Sequence, residues 1–282
     1  MPERRHAYLV LDVFTDTPLE GNPLAVFPDA AGLDPQLMQR VARELNLSET
    51  VFMLAGEGVD AHIRIFTPAT ELPFAGHPTL GSAFVVGERD GSSSVRLLTG
   101  SGVVPVALRR AGEQIVYGEM EQPIPTVEPF ERAEELLAAL GLEGSELPIE
   151  AYRNGPVHVY VTLSDPEEVA AIRPDLRALG RLGELDVACI AGGGARWKSR
   201  NFAPALGVAE DPATGSAAGP LALHLARHGR IPFGEQIEIT QGVEIGRPSV
   251  LFARVEGSVE RIERVAVGGS AVVVARGEYR VQ

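Results

Sequence analysis

Cysteine is nearly absent. The 282 residues contain only Cys189, so no intramolecular disulfide can form and a disulfide-stapled secreted fold is excluded. A reducing cytoplasm is compatible, and the chain is expected there. Basic residues are also scarce: 25 Lys and Arg face 38 Asp and Glu, for a net charge of −13. Such a surface repels a phosphate backbone, so nucleic acid is not an expected partner. A small anionic substrate stays possible, because a local pocket can differ in sign from the whole surface. No apolar run approaches the roughly 20 residues of a membrane span. The opening stretch, MPERRHAYLVLDVF, is basic and then apolar, but Asp12 interrupts it and no small-residue cleavage site follows. It reads as a first strand, not a signal peptide.

What is present is an ordinary globular composition, 45% hydrophobic and 22% charged, long enough for two domains. The clearest organising signal is an internal echo. Arg64-Ile-Phe66-Thr-Pro68-Ala69 returns about 136 positions later as Arg200-Asn-Phe202-Ala-Pro204-Ala205. Each copy leads into a glycine-containing segment that opens an apolar run, FAGHPTLGSAFVV from Phe74 and DPATGSAAGPLALHL from Asp211. Two copies are too few for a solenoid and imply two pseudo-symmetric domains. Short β-branched runs dominate both halves, as in Tyr8–Phe14, Ile63–Phe66, Val103–Leu108, Val157–Leu163 and Ala271–Val274. Asp34-Pro35 starts one amphipathic helix, and Glu131–Leu140 forms another that stops at Gly141. The runs beginning near Pro78 and Ala217 are apolar nearly all round, which implies helices buried on every side. Strands wrapped about a buried helix in each half make an α+β fold. The Pro-rich segment Gln122–Glu128 reads as the connection between halves.

Several residues could carry chemistry, each with a plainer alternative. Gly76-His77-Pro78 and Thr214-Gly215-Ser216-Ala217 sit at the two helix starts, where backbone N–H groups can hold a carboxylate without a basic side chain. Ordinary helix capping explains the same residues. Glu49, in LNLSETVFML, lies beside an apolar strand; partial desolvation there suits a proton-shuttling carboxyl, and a solvated loop glutamate is the alternative. Asp211 reads as an N-cap or a site residue, and His77 as a capping or core histidine or a site residue. His224 and His228 have metal-pair spacing, but the segment between them lacks the Glu of HExxH and no third ligand is evident, so no metal is expected. Gly192–Gly194 is a turn without either nucleotide-motif spacing. Arg196, Lys198 and Arg200 read as a solvated edge, and Cys189 as a small buried residue.

Taken together, DVFTDTPLEGNPLAVF, ARELNLSETVF, IRIFTPATELPFAGHP, EQPIPT, RNGPVHVYV, NFAPALGVAEDPATGSAAGPLALHLARHG and QGVEIGRPS resemble the PhzF family of phenazine biosynthesis. The resemblance runs from Asp12 to Ser249. It implies the diaminopimelate-epimerase-like fold: two similar domains, each a rolled, mostly antiparallel sheet around a central helix, with the active site in the cleft between them. The expected domains are 1–120, joined by the C-terminal strand 268–282, and 121–267. Epimerases of this fold place one cysteine at each of two helix starts. The matching positions are Ala75 and Thr214, so a two-thiol mechanism is ruled out. The resemblance instead assigns proton transfer to Glu49, from C3 to C1 of trans-2,3-dihydro-3-hydroxyanthranilate. Substrate contacts fall to Gly76, His77, Asp211, Gly215 and Ser216, with Asp211 or His77 able to assist proton movement. No cofactor is implied, and the partners are a small carboxylated ring substrate and a second copy in a homodimer. An isomerase or epimerase acting on another small carboxylated amino compound, and a non-catalytic binding member of the fold, are the alternatives.

Overall fold

The short β-branched runs and the two all-apolar segments become strands and central helices in the computed structural model, which describes residues 4–281. Met1–Glu3 and Gln282, at the outer ends of the expected domains, lie outside the described residues. The chain divides into two units, one of Met1–Glu121 with Gly268–Gln282, the other of Gln122–Val267.

In the first unit the order is β1 (Arg4–Val13), β2 (Asn22–Phe27), α1 (Pro35–Leu45), β3 (Glu49–Leu54), β4 (Ala61–Phe66) and β5 (Glu71–Leu72). It continues with α2 (Gly76–Asp90), β6 (Ser94–Thr99), β7 (Gly102–Ala111) and β8 (Gln114–Glu121). Pairing is mostly antiparallel; β2–β3 and β4–β6 are the parallel pairs among the described strands of this unit. The strand at the chain's end, Ala271–Val281, pairs antiparallel with β1. Helix α2 touches strands on all sides, including β1, β2, β3, β4, β6, β7 and β8. Its residues from Gly76 to Phe84 are all buried, as an all-round apolar helix requires. A second cluster, around Phe27, Met38, Val41, Phe52 and Phe66, packs α1 outside the strands.

The second unit repeats the plan. Its elements are β9 (Thr126–Pro129), α3 (Ala133–Leu140), β10 (Glu150–Arg153), β11 (Val157–Thr162), α4 (Pro166–Ala171), α5 (Leu176–Gly180), β12 (Asp186–Gly193) and β13 (Arg196–Ala203). There follow β14 (Val208–Asp211), α6 (Gly215–Arg227), β15 (Gln236–Gln241), β16 (Ser249–Gly257) and β17 (Ile262–Gly269). The parallel pairs β11–β12 and β13–β15 stand where β2–β3 and β4–β6 stand in the first unit. Every residue of α6 from Gly215 to Ala226 is buried.

The echoed hexapeptide ends β4 and β13. In each copy the arginine lies over the phenylalanine two residues on, at 5.2 Å for Arg64–Phe66 and 5.1 Å for Arg200–Phe202. Each also grips a glutamate on the next short strand through two hydrogen bonds. Arg64 donates to Glu71 at 2.8 and 2.6 Å, and Arg200 to Glu210 at 2.9 and 2.8 Å. The central helix then begins five residues after the glutamate, at Gly76 or Gly215. The repeated sequence is therefore a repeated fastening: an arginine fork fixes the turn that delivers the chain to the helix start.

Arg200 corrects the expectation of a solvated edge. It is buried, donates to the carbonyls of Ala170 and Ile172 as well as to Glu210, and Lys198 pairs with Glu244 at 2.6 Å. Strand β13 is an inner strand, flanked by β12 and β15, so its side chains cannot all reach water. Cys189, on β12, is buried as expected, and burial pushes its thiol pKa up. Among the described residues no helix is long and apolar enough to cross a membrane.

Candidate active site

Three helices are capped by aspartates in the ordinary way: Asp34 at α1, Asp165 at α4 and Asp175 at α5, each accepting from backbone N–H groups of the first turn. The two central helices are not. Their N-caps are Ala75 and Thr214, and neither makes a side-chain capping bond. Capping therefore does not account for Gly76-His77 or Gly215-Ser216. Each helix instead presents backbone donors, with the positive end of its dipole behind them.

In the first unit, Glu49 is the first residue of β3, paired in register with Leu24 of β2. Its side chain is only 13% exposed and its Oε2 lies 3.2 Å from Nε2 of His77, whose side chain is 4% exposed. The solvated-loop reading of Glu49 is thus overturned: the end of α1 at Asn46 turns the chain directly into an inner strand. The spacing is that of an ion pair, but burial drives the His77 pKa down to about 3. Desolvation of the imidazolium outweighs attraction to the carboxyl, so the pair is a neutral imidazole beside a carboxyl. The contact sets an uncharged ring against the carboxyl and does not neutralise it.

In the second unit, Asp211 ends β14 and does not cap α6. It accepts a 2.6 Å hydrogen bond from the Thr214 hydroxyl. Gln241 closes this turn. Its Nε2 donates to the Asp211 carbonyl at 2.8 Å and to Thr214 Oγ1 at 3.0 Å, and its Oε1 accepts from the Thr214 N–H at 3.1 Å. The first turn of α6 is held from behind through its carbonyls. Gln122 donates to Gly215 O at 2.7 Å, Asn154 to Ser216 O at 2.8 Å and the Tyr160 hydroxyl to Ala217 O at 2.6 Å. Pro220, inside the helix, has no N–H for the Ser216 carbonyl, and Asn154 supplies the missing donor. Gly215 and Ser216 are consequently fixed with their N–H groups at the open end.

His224 and His228 do have a third neighbour. Glu150 Oε2 lies 2.9 Å from His228 Nε2 and 3.4 Å from His224 Nδ1, and the three ligand atoms lie within 4.8 Å of one another. The sequence hid Glu150 because β10 is far from α6 along the chain. The same oxygen, however, accepts from the Tyr152 hydroxyl at 2.8 Å and from Arg227 at 3.0 Å. Burial opposes ionisation of Glu150, but the hydrogen bonds from His224, His228 and Tyr152 and the Arg227 charge overrule it and hold its pKa far below the usual range. A guanidinium already neutralises the carboxylate, so the group is a partly buried ion-pair network.

Residues 11–277 match the family described as phenazine biosynthesis-like protein, PhzC-PhzF. The chain belongs to that family. The PhzC-PhzF members similar to it include the trans-2,3-dihydro-3-hydroxyanthranilate isomerase of Pseudomonas aeruginosa, 55% identical over 273 residues, covering 96% of this chain and 98% of that protein. The protein of the same name from Pseudomonas fluorescens is 52% identical with the same coverage. Among solved structures, a PhzF-family phenazine biosynthesis protein of Bacillus anthracis matches with a TM-score of 0.85 over 99% of both chains, at 26% identity. Within the PhzC-PhzF fold, the sequence-predicted residues fall into two groups, Glu49 with Gly76 and His77 in the first unit, and Asp211 with Gly215 and Ser216 in the second. Thr214 was named from the sequence as part of the helix start and as a position that epimerases fill with cysteine; Gln241 was not singled out.

Proposed function

We propose that this chain is a trans-2,3-dihydro-3-hydroxyanthranilate isomerase in which Glu49 carries a proton from C3 to C1 of the ring. The substrate is taken from the relatives that share more than half its residues over nearly their whole length. The observation that carries the mechanism is the buried Glu49 carboxyl, 3.2 Å from a neutral His77 at an uncapped helix start.

The chemistry follows from those groups. As a carboxylate, Glu49 removes the C3 proton, and the electron pair left behind is shared through the ring's conjugated system. The resulting carboxylic acid returns the proton to C1, and the enol product tautomerises to the aminoketone. No electrons leave the substrate, so the reading needs no cofactor. One carboxyl suffices if both carbons present the same ring face. Neutral His77 fixes the carboxyl without neutralising it, and a cation in its place would weaken the base. In this reading the N–H groups of Gly215 and Ser216 hold the substrate carboxylate, and Gly76, His77 and Asp211 meet its amino and hydroxyl groups. A homodimer and a cytoplasmic location belong to the same reading.

The test is turnover of the dihydrohydroxyanthranilate in deuterated water, followed by NMR. The reading requires the ketone product, with deuterium at the new C–H carbon to the extent that Glu49 exchanges with solvent. Absence of product with this substrate, while another cyclic or linear amino acid is turned over, would move the assignment to a different substrate.

A further inference from the structure

We propose that Gln241 is a positioning residue for the reaction: its side-chain amide locks the Asp211–Thr214 turn and so fixes the direction in which the Asp211 carboxyl meets substrate. This rests on the reading of Asp211 as a substrate contact.

The hydrogen-bond directions leave little freedom. Gln241 is the last residue of β15 and is buried. Its Nε2 donates to Thr214 Oγ1, so the Thr214 hydroxyl must turn its own proton elsewhere, and it donates to Asp211 Oδ2 at 2.6 Å. A chain of bonds thus runs from the Gln241 amide through the Thr214 hydroxyl to one carboxylate oxygen. The other two Gln241 bonds tie it to the backbone on both sides of the same turn, at Asp211 O and Thr214 N. The next residue adds a steric lock. Gly242 has φ +77, and a Cβ there would lie 2.6 Å from the Pro212 carbonyl oxygen and 3.1 Å from Pro212 Cα. The end of β15 is therefore pressed against the backbone next to Asp211.

The first unit serves as an internal control. There Gly100 follows the end of β6 and packs on Pro73, with a built Cβ 2.9 Å from Pro73 Cα, just as Gly242 packs on Pro212. The residue before it is Thr99, whose hydroxyl donates to Gly102 O. Leu72 and Ala75 occupy the places of Asp211 and Thr214. The same turn and helix start are thus built in the first unit without the polar clamp. The scaffold does not require Gln241; the carboxyl at Asp211 does.

The experiment is a double-mutant cycle on kcat/KM with wild type, Asp211→Asn, Gln241→Leu and the double variant, each also checked by thermal unfolding, together with a crystal structure of Gln241→Leu. A misplacement of about 1 Å at a reacting group costs on the order of 100-fold, so Gln241→Leu is expected to lower kcat/KM by about 10- to 100-fold. The double variant is expected to lose less than the product of the two single losses, because the proposed effect of the clamp passes through Asp211. The crystal structure is expected to show the Asp211–Thr214 hydrogen bond lost. Losses that multiply, or an Asp211–Thr214 bond intact in Gln241→Leu, overturn the proposal. If Gln241→Leu does not fold, Gln241→Glu takes its place, since it keeps the acceptor for Thr214 N–H and removes both donors. The crystallographic arm needs no turnover, so an inactive wild type refutes the isomerase reading while the clamp is still judged by structure.

Discussion

His77 gives the sharpest quantitative test. Its imidazole is held neutral by burial, with a pKa near 3 in the folded chain against about 6.5 when unfolded. Between those values the unfolded chain binds a proton that the folded chain refuses. Stability from this residue is therefore complete above about pH 6.5 and is lost as pH falls towards 3. Each pH unit well inside that window removes about 1.4 kcal/mol. From pH 7 to pH 5 the His77 contribution falls by about 2 kcal/mol. Replacing His77 by Gln removes the titration and keeps a polar side chain. Urea unfolding of both proteins at pH 7 and pH 5 isolates the effect, because every other residue is common to the two chains and drops out of the difference. The variant is expected to lose about 2 kcal/mol less than wild type on acidification. Equal losses in the two proteins, or an NMR titration placing His77 near 6.5, would falsify the neutral-imidazole argument.

Glu49→Gln keeps the shape of the side chain and removes the base, so the isomerisation rate is expected to fall by about 10²- to 10⁴-fold with the melting temperature nearly unchanged; an unaltered rate removes Glu49 from the mechanism. The two arginine forks are expected to differ because their surroundings do. Arg200 and Glu210 are 6% and 12% exposed, against 21% and 41% for Arg64 and Glu71. Arg200→Ala strands a buried carboxylate and is expected to destabilise by about 3–5 kcal/mol in chemical denaturation, and Arg64→Ala by about 1 kcal/mol or less; equal effects would refute the burial argument. Asp186→Asn, which weakens a buried contact with His158 at 3.0 Å and one with Asn201 at 2.8 Å, is expected to cost about 2 kcal/mol of stability. It should leave kcat within a few-fold, and a large kinetic loss without a stability loss would be the contrary result.

The architecture was legible where the signal was local or repeated. The RIFTPA echo marked the duplication because both copies do one mechanical task, and the all-round apolar runs at Pro78 and Ala217 could only be buried helices. The site was legible only in part. Glycines at the helix starts pointed to backbone donors, but the absence of side-chain caps had to be seen in three dimensions. Arg200 was misread because a charged residue on a strand looks solvated until its fork partner, ten residues away on the adjacent strand, is in place. Glu150 and Gln241 were invisible for the same reason at longer range. Gln241 lies 27 residues beyond Thr214, and nothing in its local sequence distinguishes it from any polar strand end.

The strand registers show how one scaffold came to hold two different helix starts. Thr50 pairs with Phe66, and Val187 with Phe202, so the residues just before them, Glu49 and Asp186, occupy the same position in the two units. Both are carboxylates at the start of an inner strand. Asp186 is taken up by its own unit: His158 and Asn201 bind it, and it is buried. Glu49 instead meets His77 on the central helix. At the next equivalent place the roles reverse. Leu72 in the first unit is apolar, while Asp211 in the second is a carboxylate with its own hydroxyl and amide support. Each unit thus commits a single carboxylate towards its helix start and disposes of the other, by burial in one and by replacement in the other. A symmetric two-base inversion needs like groups at matching positions. Here Glu49 and Asp186 match in position but not in use, and Asp211 has only Leu72 as its counterpart, which favours one mobile proton carrier over two.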